Sequence, residues 1–297
     1  MTIAACYLSP EGVVLGADST TTYGDRHYNN SQKLFQIGEN STLGVITWGL
    51  GGLLVRSHRT LFAELDDDLR VNPPPDMQTV ATRWAALYWQ AYSDPNSPVA
   101  PFISRVRALA SQPPHDPGNP SPPPNSRSEA EEVELSNLQV ALVAGFCIAG
   151  YVLPKREPEA FEIMVDPLMA AAPVPRQYGH GYWLWGAPKM FQRLIHGCDN
   201  ELKAQIMTSG HWTGSLQDLN ALIANQALDH PATVPIRDAI DFIHASISST
   251  IKAFKFSSLA PICGGPIEIA VITTDRNFRW VRHKPWDAGI TEGDAYV

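Results

Sequence analysis

The sequence lacks most of what would bind a metal, cross a membrane or hold an anionic polymer. Its four cysteines, Cys6, Cys147, Cys198 and Cys263, are far apart, with no C-x-x-C pair and no histidine at zinc-ligand spacing. Neither a disulfide framework nor a structural metal centre is therefore expected, and free thiols fit a reducing, cytoplasmic setting. No apolar run reaches the roughly 18 residues of a membrane span. The opening stretch, MTIAACYLSPEGVVLGAD, lacks the basic n-region and unbroken apolar core of a signal peptide. Basic charge is also scarce: 22 Lys and Arg stand against 30 Asp and Glu, a formal charge of -8, and the pI is near 5.6. Without a basic face, neither a nucleic-acid partner nor an anionic membrane is expected.

What is present is a chain of 297 residues, 44% of them hydrophobic, which is enough for one large packed domain. Thr2 to Leu8 reads as a strand, Ser9-Pro10-Glu11-Gly12 as a turn, and Val13 to Ala17 as a strand buried on both faces. Lys33 to Ile37 and Leu43 to Thr47 continue the pattern around a turn at Gly38-Glu39-Asn40. Helical spacing begins after Gly49, Gly51 and Gly52, with Leu61, Phe62, Leu65 and Leu69 on one face. Pro73 to Pro75 stop that helix and Asp76 caps the next. The aromatics of this second helix, Trp84, Tyr88, Trp89 and Tyr92, read as core or subunit contact, and no cofactor is expected.

Between Asp94 and Asn125 the sequence holds ten prolines, and an acidic run follows at Glu129 to Glu132. Residues 93–136 therefore read as a surface insertion, interrupted by a short helix near Phe102 to Leu109. Farther on, Leu138 to Ile148, Phe161 to Val165 and Tyr182 to Trp185 read as strands. Lys189 to His196, Leu216 to Leu228 and Ile236 to Phe254 read as helices, and Ile267 to Ile272 with Phe278 to Val281 as a closing hairpin. Residues 284–297 read as a flexible tail. Sheets inside and helices outside make the expected class α+β, in a single domain over residues 1–297.

Several motifs together carry a resemblance: Thr2-Ile3, Gly12 to Ser19, Lys33, Gly49-Leu50-Gly51-Gly52, and Gly264-Gly265-Pro266-Ile267 before a strand. In this order and spacing they resemble the proteasome β-subunit-like family of N-terminal nucleophile hydrolases, in its bacterial proteasome-related branch. The resemblance implies a four-layer αββα sandwich. It also implies a threonine nucleophile at Thr2, uncovered when Met1 is removed, with Asp18 and Lys33 beside it. Backbone N–H groups at Gly51, or at Gly49 in the competing alignment, would form the oxyanion site, and Trp48 would border the substrate pocket. A serine in a Gly-Ser-Gly segment and an Asp-x-x-Ser complete the family's site. Here those segments read Gly179-His180-Gly181 and Ala260-Pro261-Ile262-Cys263, which nominates His180 as a proton relay and Cys263 as a weak hydrogen-bonding group.

The chemistry explains why these residue types belong together. A threonine hydroxyl needs a base, and an N-terminal α-amine, with a reference pKa of about 7.7 to 8.0, serves better at neutral pH than a lysine near 10.4. A buried lysine needs a counter-charge, which Asp18 would supply, and its positive field would ease deprotonation of Thr2. The resemblance implies a homo-oligomer acting on unfolded polypeptide or peptide, together with an unknown regulator. The alternatives are a non-catalytic scaffold subunit and a small-molecule amidase on the same type of fold.

Overall fold

The computed structural model describes residues 2–23, 26–116, 118, 123–228, 233–258 and 262–284. Met1, Ala260, Pro261 and the tail beyond Lys284, on which several expectations bear, lie outside the described residues. The chain divides into two compact units, residues 1–34 with 180–297, and residues 35–179.

In the first unit, β1 (Ile3–Ser9), β2 (Gly12–Ala17), β10 (Gly181–Gly186), β11 (Glu268–Thr273) and β12 (Arg276–Arg282) form an antiparallel sheet in the order β10-β1-β2-β11-β12. A short hairpin, β3 (Thr21–Tyr23) and β4 (Arg26–Tyr28), stands apart from it. Helices α5 (Lys189–His196), α6 (Asn200–Thr208), α7 (Leu216–Ala224) and α8 (Ile236–Lys255) complete the unit. Ile243 and Ile247 of α8 pack on Ile3, Ala5, Val14, Ile269 and Val271. The helix comes so close to β2 that a Cβ at Gly16 would lie 2.5 Å from Ile243 Cγ2 and 2.8 Å from Ile247 Cδ1. Gly16 in the middle of an apolar strand is thus a close-packing residue.

The second unit holds β5 (Leu34–Gln36), β6 (Leu43–Gly49), β7 (Ala144–Gly150), β8 (Glu159–Val165) and β9 (Arg176–Tyr178) as a sheet in chain order. Its helices are α1 (His58–Val71), α2 (Met77–Tyr92), α3 (Ala100–Ala110) and α4 (Glu129–Leu142). Ser57 and Asp76 cap α1 and α2 by accepting from Thr60 N and Thr79 N. Phe62, Trp84, Tyr88 and Phe146 form an aromatic core, with Phe62 and Trp84 stacked at 4.3 Å and Phe146 edge-on to Tyr88 at 4.6 Å.

Two expectations about the middle of the chain differ from what is found. The stretch 93–136 was expected to contribute nothing to a core, yet Ile103, Val106 and Leu109 of α3 and Leu135 of α4 are buried with the aromatics. Ion pairs accompany this burial among the described residues. Arg105 pairs with Glu131 and Glu134, while Arg127 bonds Glu132 and the carbonyls of Leu109 and Gln112. The expected strand from Leu138 is the last turn of α4 as far as Leu142. Ser128 and Glu131 form a reciprocal capping box that starts the helix, and the apolar run continues it.

Candidate functional site

Within the first unit, the chain leaves β2 at Asp18 and turns back through Ser19 and Thr20, all three nearly or wholly buried. A buried carboxylate must have its lone pairs occupied. Asp18 Oδ1 accepts from Ile3 N at 3.1 Å and from Lys33 Nζ at 2.7 Å. Its Oδ2 accepts from Thr20 N at 3.2 Å and Gly264 N at 2.9 Å. Lys33 also donates to the carbonyl of Thr20. Burial lowers the pKa of Lys33 from the ordinary lysine value, and the adjacent Asp18 charge opposes that shift.

Thr2 is fixed from both sides. Its carbonyl accepts from Ala187 N at 2.8 Å, and the next amide in the chain, Ile3 N, is the one held by Asp18. The end of β10 lies so close that a Cβ at Gly186, whose φ is +80°, would be 1.8 Å from the Thr2 oxygen. Glycine is therefore required there on both counts. Thr2, Asp18 and Lys33 thus meet at one end of the sheet. A cleft of about 490 Å³ lined by Thr20, Asn29, Cys263 and Gly264 opens beside them.

Cys263 also belongs to this neighbourhood, since its thiol and the Lys33 ammonium act electrostatically on each other. Burial first, and then the Asp18 charge, push the thiol up to about 12. It stays a neutral thiol at physiological pH, suited to packing and weak hydrogen bonding rather than nucleophilic attack.

His180 is placed elsewhere. It is exposed and precedes Gly181, which pairs with Leu8, whereas Ile3 pairs with Gly186 at the other end of the same two strands. At about 3.3 Å per residue, six residues of β1 separate Thr2 from that end by about 20 Å. Gly179-His180-Gly181 therefore does not complete the site; the segment of β10 that reaches Thr2 is Gly186-Ala187.

Trp48, Gly49 and Gly51 belong to the second unit. Trp48 is buried with its indole against Gly145, where a Cβ would come within 2.1 Å of the ring. Gly49 has φ +79°, and a Cβ there would lie 2.2 Å from the carbonyl oxygen of Val143, so this glycine has a reason in strand geometry. Gly51 is exposed in the loop that follows.

The sequence did not nominate Thr20, Gly186 or Gly264. Their contribution is made by main-chain atoms, for which a side-chain motif carries little signal. The neighbouring Ser19 hydroxyl is wholly buried without a hydrogen-bond partner among the described residues. Among the described residues no cluster of metal-ligating side chains occurs and no helix is long and apolar enough to cross a membrane.

No protein-family model matches the chain, and no curated protein sequence does. Solved structures do. The chain is similar to a subunit of the helical assembly of the Anbu complex from Pseudomonas aeruginosa, at 14% identity and a TM-score of 0.52, covering 100% of this chain and 92% of that one. It is also similar to a Gly-1 mutant of Anbu from Hyphomicrobium sp. strain MC1, at 12% identity and a TM-score of 0.50, covering 100% and 94%. At such identities the likeness is one of fold.

The expected membership in the proteasome β-subunit-like family is corrected by these findings to a fold likeness with Anbu complexes. The glycines that carried the resemblance have local explanations. Gly16 admits α8, Gly49 admits Val143, and Gly265, at φ +72°, lies where a Cβ would be 2.4 Å from the Asn29 carbonyl oxygen. They report strand packing and turns, which many sequences share.

Proposed function

We propose that this chain is a hydrolase of amide bonds that uses Thr2 as its nucleophile after removal of Met1. The observation that carries the reading is the double anchoring of Asp18 Oδ1, which holds both the amide following Thr2 and the Lys33 ammonium. In the first step the Thr2 hydroxyl oxygen attacks the substrate carbonyl carbon and its proton passes to the freed α-amine. Collapse of the tetrahedral intermediate expels the amine, which takes that proton, and leaves an ester on Thr2. Water then hydrolyses the ester, releasing the acid and restoring the hydroxyl. Lys33 lends a positive field, and Asp18 holds it there. Backbone N–H groups would stabilise the oxyanion.

The same reading includes the four-layer αββα sandwich, unfolded polypeptide or peptide as substrate, and assembly into a homo-oligomer. The fold likeness to a subunit of a helical Anbu assembly supports the last. Intact mass of the purified protein should show the loss of Met1. Thr2→Ala should then abolish hydrolysis of peptide and amide reporters while the far-ultraviolet spectrum is unchanged. Full activity in Thr2→Ala would refute the assignment. The placement of His180 at the far end of β1 favours a second reading, a non-catalytic scaffold with the same fold, which predicts retained Met1 and no turnover.

A further inference from the structure

Beside Asp18, β11 begins with a second wholly buried carboxylate. Glu268 pairs in register with Ala17, the residue before Asp18. One of its oxygens lies 2.7 Å from His283 Nδ1 and the other 3.1 Å from Lys284 Nζ, close charge contacts in which neither oxygen accepts a hydrogen bond among the described residues. The Lys284 side chain is itself only 13% exposed, and its ammonium donates to the Ser31 carbonyl at 3.0 Å. Ser31 N donates in turn to the Ser19 carbonyl at 2.9 Å. The segment entering Lys33 is therefore tied to the residue after Asp18 on one side and to Lys284 on the other.

Stability alone gives little reason for this arrangement, because an ion pair removed from water is often no better than well-packed apolar residues. The residues after Glu268 on β11 are Ile269, Ala270, Val271 and Ile272, so an apolar residue would suit the strand. We propose that Glu268 and Lys284, steadied by His283, form a positioning ion pair that fixes Ser31 and thereby sets Lys33 against Asp18. The inference rests on the reading of Lys33 as part of the reacting centre. Lys284 has a second effect there: its charge adds to burial in lowering the Lys33 pKa, against the pull of Asp18 and Cys263.

The test uses the full chain labelled with 13C at lysine Cε, with the Lys33 resonance assigned from Lys33→Arg. In Lys284→Gln, which leaves His283 on Glu268, Lys33 should titrate at higher pH than in the wild type, and Lys284→Arg should return it toward the wild-type curve. Loss of packing alone would not be reversed by a charge-conserving substitution. Where reporters are turned over, Lys284→Gln should lower kcat about tenfold with KM within about twofold. In folded Lys284→Gln protein the Ser31 amide should exchange with solvent at least about tenfold faster than in the wild type, and unchanged protection overturns the proposal. If that variant does not fold, Glu268→Gln decides. Its Ser31 amide should exchange with solvent at least about tenfold faster than in the wild type, and unchanged protection overturns the proposal. An inactive wild type would sink the hydrolase reading without touching this test, since neither the titration nor the exchange depends on turnover.

Discussion

Acid should destabilise this protein through one histidine in particular. His58 is the first residue of α1 and is 4% exposed, with Phe146, Tyr88 and Phe62 centred 5.2, 5.8 and 6.3 Å from its ring. Burial lowers its pKa from 6.5 to about 4. The positive end of the helix disfavours an imidazolium there as well. In the unfolded chain the ring would titrate near its ordinary value, so between about pH 6.5 and 4 the unfolded state binds the proton and the folded state does not. The contribution is complete above pH 6.5, falls as the pH drops toward 4, and is gone below both values. A gap of 2.5 pH units at about 1.36 kcal/mol each gives about 3 kcal/mol lost by pH 4. Urea unfolding at pH 7.5, 5.5 and 4 on the wild type and His58→Phe measures it. Carboxylates contribute to acid sensitivity in both proteins, so the difference between the two curves isolates the histidine. His58→Phe also removes an Nε2 that has no hydrogen-bond partner among the described residues. The variant should therefore lose about 3 kcal/mol less than the wild type on acidification. Parallel curves would refute the reasoning.

Other outcomes follow from the same contacts. Asp18→Ala should destabilise by about 3–5 kcal/mol, since it leaves the buried Lys33 ammonium without its counter-charge and three amides without their acceptor, whereas Lys33→Met should cost less because Asp18 keeps three backbone donors. Chemical denaturation ranks the pair, and equal losses would contradict the ordering. Gly16→Ala should cost about 1–3 kcal/mol, because Ile243 and Ile247 must move to admit the methyl group, and a melting temperature equal to wild type would show that α8 shifts freely. Trp48→Ala should cost about 3–5 kcal/mol, because it empties the space that the buried indole fills against Gly145. Chemical denaturation measures it, and a stability equal to wild type would contradict the packing role.

Where side-chain pattern decides the structure, the sequence is informative. The buried runs of β1, β2, β6 and β11 and the helices α1, α2, α5 and α8 follow from apolar periodicity, and for α2 from the cap at Asp76. In the stretch 93–136 the short helix is legible as α3, whereas α4 and the core contact are not, and the arginine–carboxylate contacts of Arg105 and Arg127 add to that burial. Those partners are 26 and 29 residues apart for Arg105, and only the folded chain brings them together. The hairpin of β3 and β4 is missed for another reason: its strands are three residues each, and β4 is exposed, so no buried alternation marks it.

The candidate site divides along the same line. Asp18 and Lys33 are nominated by the resemblance, and the structure brings their side chains together at 2.7 Å. Thr20, Gly186 and Gly264 are not, because they act through an amide, a carbonyl or the absence of a Cβ, and any residue type has the first two. His180 shows the converse error. A glycine-flanked polar residue looks like a site motif, but strand register decides which end of a strand a residue occupies. Pairing Gly181 with Leu8 and Gly186 with Ile3 puts His180 at the wrong end, whatever its chemistry. The buried charges Glu268 and Lys284 fall between these cases: Glu268 is visible in the sequence as a lone ionisable residue at the start of an apolar strand, and Lys284 as the last of the basic run Arg282-His283-Lys284. Their partnership arises when β11 pairs with β12, Ile269 opposite Arg282, and the hold on Ser31 is a contact that only the folded chain makes.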